Sequence, residues 1–142
     1  MGKQLILRKT IHIDAPASKV WEALTSPALI KQYFFGTTVI SDWKIGSPIR
    51  FTGTWEGKEY EDKGTVLKFE KEKVFQYNYW SSFSPLPDVP ENYSVLTFEL
   101  TPRGSGTELS LTQDNIPSEA ALEHTGKNWD GVLGAMKTLV EK

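Results

Sequence analysis

Hydrophobic positions near the C-terminus recur at the spacing of an α-helix. The repeat runs from Ser118 to Lys142, and its apolar stripe consists of Leu122, Thr125, Trp129, Val132, Leu133, Met136, Leu139 and Val140. Pro117 ends the preceding segment, and Ser118 supplies a capping hydroxyl. A helix of this length spans roughly 36 Å. Because so long an apolar stripe must be buried, the pattern predicts that the rest of the chain forms a large apolar surface beneath it.

The remaining chain predicts two short helices followed by an antiparallel sheet. Leu5 to Asp14 alternates as a strand, with Lys9 interrupting its apolar face at an expected bulge. Pro16 and Pro27 each lie in the first turn of a short helix. From there to Asn115 the apolar period is two, and each segment has one apolar and one polar face. Such strands are typical of an antiparallel sheet covered on one side only.

Chain length and composition favour one domain, residues 1–142, without disulfide bonds and without a strongly charged surface. The chain has no cysteine, which suits a reducing cytoplasm and excludes disulfide and thiol chemistry. A net charge of −2 with interspersed signs gives no argument for nucleic acid or a membrane surface as partner. We also expect no signal peptide and no membrane-spanning segment, because no apolar run is long enough.

Several stretches, in a fixed order along nearly the whole chain, resemble one known superfamily. They are Ile11-x-Ile13-x-Ala15-Pro16-x-x-x-Val20-Trp21-x-Ala23-Leu24-Thr25-x-Pro27, then Ser41 to Phe51, Gly64-Thr65-Val66, Thr107 to Thr112, and Trp129-x-x-x-Leu133-x-x-Met136-x-x-Leu139-x-Glu141. The first resembles the START-like, helix-grip superfamily of the Bet v allergens and polyketide cyclases. The others resemble its branch named for the activator of the ninety-kilodalton heat-shock chaperone's ATPase.

The resemblance implies an α+β fold of the helix-grip type. Its expected features are a curved seven-stranded antiparallel sheet wrapped on the long C-terminal helix, two short helices after the first strand, and a cavity between helix and sheet. In the superfamily that cavity holds lipids, hormones, polyketides or other apolar molecules, whereas the chaperone-activator branch helps to stimulate a partner ATPase. Asn128 replaces the family's usual glycine, and Tyr33-Phe34 stands where it usually has tryptophan. Both differences would reshape the cavity.

A set of mostly aromatic residues on the predicted inner face is the candidate ligand site. Its members are Phe51, Trp55, Phe75, Tyr77, Tyr79, Phe98, Gln113 and Trp129. Buried phenols need hydrogen-bond partners, so several tyrosines on one apolar face favour a water or ligand between sheet and helix. The expected void is roughly 300–1,000 Å³. The alternatives are that the aromatic residues are ordinary core and that the strand has left the core before Gln113.

Nothing in the sequence forms a recognisable catalytic or metal-binding pattern. His12 and His124 fall on polar faces far apart in the chain, so we expect neither metal nor cofactor. We interpret four acids as solvated exterior residues: Asp42, Glu59, Glu61 and Asp62. Gly131 and Gly134 soften the polar side of the last helix, are approached closely by another chain, or are merely tolerated.

Three functional hypotheses follow. The first is a non-enzymatic domain that binds an apolar small molecule between helix and sheet. The second is a co-chaperone-like module that acts on a chaperone ATPase through its surface, for which the proline-rich stretch offers Phe83, Leu86 and Val89. The third is a cyclase- or hydrolase-type enzyme. It needs an inward acid, base or histidine, and the sequence supplies only tyrosine hydroxyls and Gln113 for that task.

Overall fold

The computed structural model describes residues 5–34, 36–81, 87–116 and 118–141, apart from the side chain of Trp55. In these residues, seven strands and three α-helices follow one another along the chain. They are β1 (Leu5–Ile13), α1 (Ala17–Thr25), α2 (Pro27–Tyr33), β2 (Thr38–Ser41), β3 (Pro48–Trp55), β4 (Lys58–Glu70), β5 (Val74–Tyr79), β6 (Ser94–Arg103), β7 (Gly106–Ile116) and α3 (Glu119–Val140). A short 3₁₀ turn, Pro90–Asn92, precedes β6.

The strands form one antiparallel sheet in the order β1-β7-β6-β5-β4-β3-β2. This arrangement, with two short helices after β1 and a long helix at the end, confirms the α+β, helix-grip expectation. A two-residue turn at Glu56 and Gly57, with φ angles of 50° and 81°, joins β3 to β4. A turn of this kind fixes the register of a hairpin. Here it sets Phe51 opposite Asp62.

Gly64 lets β5 approach β4 more closely than any side chain would permit. A Cβ atom at this position would lie 1.7 Å from the carbonyl oxygen of Asn78. The side-chain amide of Asn78 is also engaged, since its Oδ1 accepts from the Thr65 amide at 2.7 Å. The register of the two strands shifts between Val66 and Lys68. Such a shift bends a strand and increases its twist, which helps to curve the sheet around the helix.

Helix α3 packs its apolar stripe on the concave face of the sheet, and its residues are fully buried only from the third turn onward. The Ser118 hydroxyl accepts from the Ala121 amide at 3.1 Å, which confirms the expected cap. The fully buried residues of the helix are Gly126, Trp129, Val132, Leu133, Met136 and Val140. Residues 119–125 are only half-buried or exposed. In the part of the chain that the structure describes, no helix has the length and apolarity needed to cross a bilayer.

Polar contacts from β1 and the loop after it hold the helix in position. Near its C-terminus, Glu141 Oε2 accepts from the Asp14 amide at 2.7 Å, and Lys137 Nζ donates to the His12 carbonyl at 2.9 Å. Further back, Lys9 Nζ lies 2.9 Å from Asp130 Oδ1. The interruption at Lys9 is therefore an ion pair reaching up to the helix, and the expected bulge there is wrong. The register shift of β1 lies between Leu5 and Leu7 instead.

Helices α1 and α2 both contact α3; in addition α2 contacts β2, and α1 contacts β6 and β7. Helix α1 begins directly after Pro16, and α2 begins at Pro27, close to where the sequence predicted. The Trp21 indole of α1 packs on Phe69 with ring centroids 5.2 Å apart. The Tyr33 hydroxyl of α2 donates to the Ala23 carbonyl at 2.8 Å, which ties the two helices together. Together they bring several apolar side chains to the space between α3 and the sheet.

Candidate functional site

A small apolar cavity lies between α3, the two short helices and strands β2, β3, β5 and β6. Its volume is about 20 Å³, enough for one water molecule. The described residues that line it are Leu24, Ile30, Tyr33, Phe34, Val39, Trp43, Ile49, Phe51, Phe75, Tyr77, Phe98, Trp129 and Met136. The expectation of a void of hundreds of cubic ångströms is therefore wrong for this structure.

Aromatic rings occupy the space that the expected cavity would have filled. Trp129 meets Phe98 and Phe34 edge-on, with centroids 5.7 and 5.6 Å apart. On the sheet, Tyr77 lies 5.2 Å from Phe75 and 5.4 Å from Phe51. Tilted and edge-on pairs at these distances are favourable contacts. The small cavity is thus the residual gap in a packed aromatic cluster.

Two of the lining residues, Phe34 and Trp43, are only half-buried, and they mark where the cavity approaches solvent. Trp43 follows β2 and adopts a left-handed backbone conformation, with φ of 58°. That conformation is uncommon for a bulky residue and costs on the order of 1 kcal/mol or more. Its amide donates to Ser41 Oγ at 3.0 Å, and its indole packs on Phe75 at 5.8 Å. A strained loop therefore carries one wall of the cavity.

The Tyr77 hydroxyl is the unusual polar group of the cavity. The residue is 3% exposed, and burial alone raises the pKa of its phenol, with no hydrogen bond contributing. Among the described residues, every side-chain oxygen or nitrogen atom that is completely buried has a hydrogen-bond partner. No described residue bonds the Tyr77 hydroxyl, and Tyr77 lines the cavity. It is a neutral phenol that can donate to, or accept from, a molecule placed there.

Gln113 and Trp129 bond to each other across the space between sheet and helix. Trp129 Nε1 donates to Gln113 Oε1 at 3.0 Å. Gln113 lies opposite Leu96 in the register, so β7 has not left the core at this point. Gln113 is not one of the described residues that line the cavity, and its side-chain oxygen already accepts the bond from Trp129. Its amide NH₂ remains as a donor.

Asp62 faces the inside of the sheet, contrary to its interpretation as an exterior acid. It lies opposite the inward-facing Phe51 and is 5% exposed. The Tyr79 hydroxyl donates to its carboxylate in a short hydrogen bond. Burial, followed by the charge of Asp62 and this bond, holds the pKa of Tyr79 well above its usual range. The pair is therefore a carboxylate with a phenol donor, in a site of low solvent access.

The structure brings together part of the predicted ligand set and leaves other members outside. Five of the eight residues line the cavity: Phe51, Phe75, Tyr77, Phe98 and Trp129. Tyr79 and Gln113 lie beside it, and the Trp55 side chain is outside the described residues. Sequence reasoning missed Asp62 and Trp43, and it named Tyr33 only as a difference from the family that would reshape the cavity. The register of the β3–β4 hairpin would have found Asp62, whereas no local signal points to Trp43.

The remaining candidates lie away from the cavity. His12 and His124 are exposed, and the described residues hold no group of three side chains suited to a metal ion. In the proposed surface patch, Phe83 and Leu86 lie outside the described residues, and Val89 is half-buried. Ile40 and Ile45, at and just after the edge strand β2, are the most exposed large apolar residues described, at 56% and 67%.

Comparison with known proteins identifies the family. Residues 14–141 match the family described as Activator of Hsp90 ATPase homolog 1-like protein. No curated protein matches the sequence. The solution structure of ChR145 from Cytophaga hutchinsonii is 48% identical, with a TM-score of 0.85 over 99% of this chain and 96% of that one.

More distant structures share the fold. The Aha1 dimer from Colwellia psychrerythraea is 19% identical, with a TM-score of 0.77 over 96% of each chain. Ara h 8.0201 is 10% identical, with a TM-score of 0.79 over 97% of this chain and 98% of that one. These likenesses agree with the helix-grip architecture and the family match. The chain therefore belongs to the Activator of Hsp90 ATPase homolog 1-like family.

Proposed function

We propose that this protein binds an apolar small molecule between α3 and the sheet, and that the Tyr77 hydroxyl bonds to one polar atom of that molecule. The observation that carries the proposal is a buried phenol bordering an apolar cavity without a partner among the described residues. A buried polar group without a partner costs about 1–3 kcal/mol. A ligand that supplies the missing bond would recover that cost.

The cavity must widen to hold such a molecule, and its walls are suited to this. Phe34 and Trp43 are half-buried and line the cavity from the end of α2 and from the β2–β3 loop. Moving Trp43 would also relieve its left-handed backbone conformation. The helix above is fully buried only from Gly126 onward, so its first turns have less apolar contact to lose. We therefore expect binding to move these groups while the sheet stays in place.

Ligand-induced stabilisation tests the proposal. Fatty acids, flavonoids and polyketide-like aromatic compounds are added singly, and thermal unfolding is followed by calorimetry. A ligand that binds only the folded state adds about 2.7 kcal/mol at a hundred times its dissociation constant. The same titration with Tyr77→Phe should rank the compounds differently, because those that bond to the hydroxyl lose their advantage.

Gln32→Leu is the matched control, since it removes a polar group from the exposed surface of α2. It should leave the ranking of compounds unchanged. The proposal fails if no apolar compound raises the unfolding temperature in a concentration-dependent manner. It also fails at Tyr77 if Tyr77→Phe preserves both the ranking and the affinities.

A surface-acting module is the second candidate, favoured by the family and by Ile40 and Ile45. These exposed isoleucines lie on and after an edge strand, where unpaired backbone groups can add a strand from a partner. The partner would be a chaperone ATPase of the same cell. Stimulation of its ATP hydrolysis by the wild type, and its loss in Ile40→Asp/Ile45→Asp, would support this role. Equal ATPase rates with and without the protein would exclude it.

A further inference from the structure

The inner face of the sheet changes character from one end to the other. Reading across β5, β6 and β7, Phe75, Phe98 and Leu111 lie in one row of the register. The next row is Tyr77, Leu96 and Gln113, and the row beyond it contains Tyr79. Asp62 of β4 lies next to Tyr79 in that row, because its carboxylate accepts a hydrogen bond from the Tyr79 hydroxyl. We call Phe75, Phe98, Leu109, Leu111 and Met136 the apolar end, and Asp62, Tyr79 and Gln113 the polar end.

The Asp62–Tyr79 pair lies one aromatic ring away from the cavity. Phe51 lines the cavity, and its ring centroid is 5.4 Å from Tyr77 and 5.5 Å from Tyr79. Asp62 is directly opposite Phe51 on the neighbouring strand. Directly opposed residues have Cβ atoms only about 5 Å apart. A molecule that displaced or slid past the Phe51 ring would therefore reach from the Tyr77 hydroxyl to the Asp62 carboxylate.

The chemistry of the pair selects what it can bind. A carboxylate offers about four acceptor positions, so it can accept from several donors at once, and Tyr79 is one of the groups that hold Asp62. In a site of low dielectric, a carboxylate attracts a cation more strongly than it does in water. An anionic group would meet repulsion there instead. The complementary ligand is therefore an apolar body carrying a hydrogen-bonding cation.

We infer that the Asp62–Tyr79 pair is the polar subsite of the ligand cavity, and that it binds the protonated amine of an arylalkylamine. This inference rests on the proposed function, because the aromatic part of the ligand occupies the cavity beside Tyr77 and Phe51. The single-ring spacing between cavity and pair favours an arm of about two or three carbon atoms. The charge-assisted bond to Asp62 sets the preference among ligands of equal size.

Three probes of matched shape test the inference: phenethylamine, hydrocinnamate and ethylbenzene. Each is titrated at neutral pH into isotope-labelled protein, and affinities are obtained from backbone amide shifts. A charge-assisted hydrogen bond is worth about 1.5–3 kcal/mol, so phenethylamine should bind roughly ten- to a hundredfold tighter than hydrocinnamate. The carboxyl carbon resonance of Asp62 should shift with phenethylamine and stay unchanged with ethylbenzene.

Two variants separate the subsite from general electrostatics. Asp62→Asn should abolish the preference for the amine while ethylbenzene binds as before. Glu61→Gln removes one negative charge from the adjacent outward-facing position, where Glu61 is exposed near Arg50, and should preserve the preference. If Asp62→Asn does not fold, the Asp62 resonance of the wild type decides the matter alone.

The outcomes distinguish the two proposals. Equal binding of the three probes, or an amine preference that survives Asp62→Asn, overturns the subsite and leaves the cavity function standing. Failure of all three probes to bind, together with failure of the larger aromatic compounds, overturns both. If the larger aromatic compounds bind but phenethylamine does not, the subsite is overturned and the cavity function stands.

Discussion

The two ends of the inner face share strands β5 and β7 but are packed in different ways. At the apolar end, Phe75 and Phe98 stack 6.2 Å apart, and Leu109, Leu111 and Met136 have at most 1% of their surface exposed. At the polar end, the inward groups are a carboxylate, a phenol and an amide that bond to one another or to Trp129. One end is closed by dispersion and hydrophobic contact, the other by hydrogen bonds.

This difference has an energetic meaning. Buried polar and charged groups often contribute less stability than apolar residues of the same volume would. A sheet selected for stability alone would continue the apolar pattern to both ends. Proteins commonly retain such costly groups where function needs them. The polar end is therefore where a binding role is expected, and the apolar end is its rigid support.

Helix α3 reflects the same division. Val132, Leu133, Met136 and Val140 are buried over the core, and Glu141 and Lys137 fasten that end of the helix to β1 and the residue after it. The first turns carry no fully buried side chain before Gly126. Local opening is easiest where apolar contacts are fewest. The helix should therefore open from its N-terminal end, and Trp129 marks the boundary between the two parts.

Removing the side chain at that boundary should have the largest effect. Trp129→Ala deletes a buried indole that packs on Phe98 and Phe34, and it leaves Gln113 without its donor. The expected loss in the free energy of unfolding is about 3–5 kcal/mol. Urea unfolding measures it directly. Trp129→Phe, which keeps a ring but removes the N–H, should lose less, about 1–3 kcal/mol. A loss below about 1 kcal/mol for the alanine variant would show that the boundary is misplaced.

Two tyrosines on one strand give a sharper contrast. Tyr79→Phe removes the donor to Asp62 and should cost about 1–3 kcal/mol, because a buried carboxylate loses a bond. Tyr77→Phe removes a buried hydroxyl that no described residue bonds, so this variant should lose no stability and should gain up to about 1–3 kcal/mol. Chemical denaturation of both variants checks the pair. Equal losses would mean that the hydrogen bonding at the two positions does not differ in solution.

Much of the fold could be predicted because it depends on patterns that the sequence displays. The helical period from Leu122 to Val140 and the alternation in the strands require an antiparallel sheet covered by one long helix. The prolines at the starts of α1 and α2 gave their positions within a residue or two. Lys9 was misread because an ion pair across to Asp130 depends on tertiary packing, which no local pattern reports.

The candidate site was less predictable, for two physical reasons. Asp62 was misassigned because burial was judged from its charge, although a two-residue turn at Glu56 and Gly57 determines that it shares a face with Phe51. The expected cavity volume was too large, because a cavity is the small difference between the space enclosed by the backbone and the volume of the side chains that fill it. It depends on the tilt of rings such as Tyr77 and Trp129, and these angles are set by packing alone.

Stiffening α3 tests whether the helix takes part in opening. At Gly131 and Gly134 an added Cβ would meet no atom within 4 Å, so alanine should stabilise the fold by about 0.5–1 kcal/mol at each position. Thermal unfolding measures the gain. Gly126→Ala is the contrasting variant, because its Cβ would touch Leu7 at 3.4 Å and should gain less. If opening requires the helix to bend, ligand affinity should fall in the stabilised double variant; unchanged affinity would assign the opening to Phe34 and Trp43.

Acid should weaken the attachment of the helix end that covers the apolar end of the sheet. The pKa of Glu141 is lowered from its ordinary 4.5, chiefly by the bond from Lys137 and then by the Asp14 amide. A lowered pKa means that the ionised group favours the folded state. The contribution of Glu141 to stability is therefore complete above the ordinary pKa and is lost as the pH falls through the lower pKa of the folded state.

Amide hydrogen exchange from neutral pH to below 4.5 should show residues near the C-terminus of α3 losing protection in this range. Glu141→Gln should remove that pH dependence while the first turns of the helix exchange as before, and an unchanged acid response in this variant would assign it to other carboxylates.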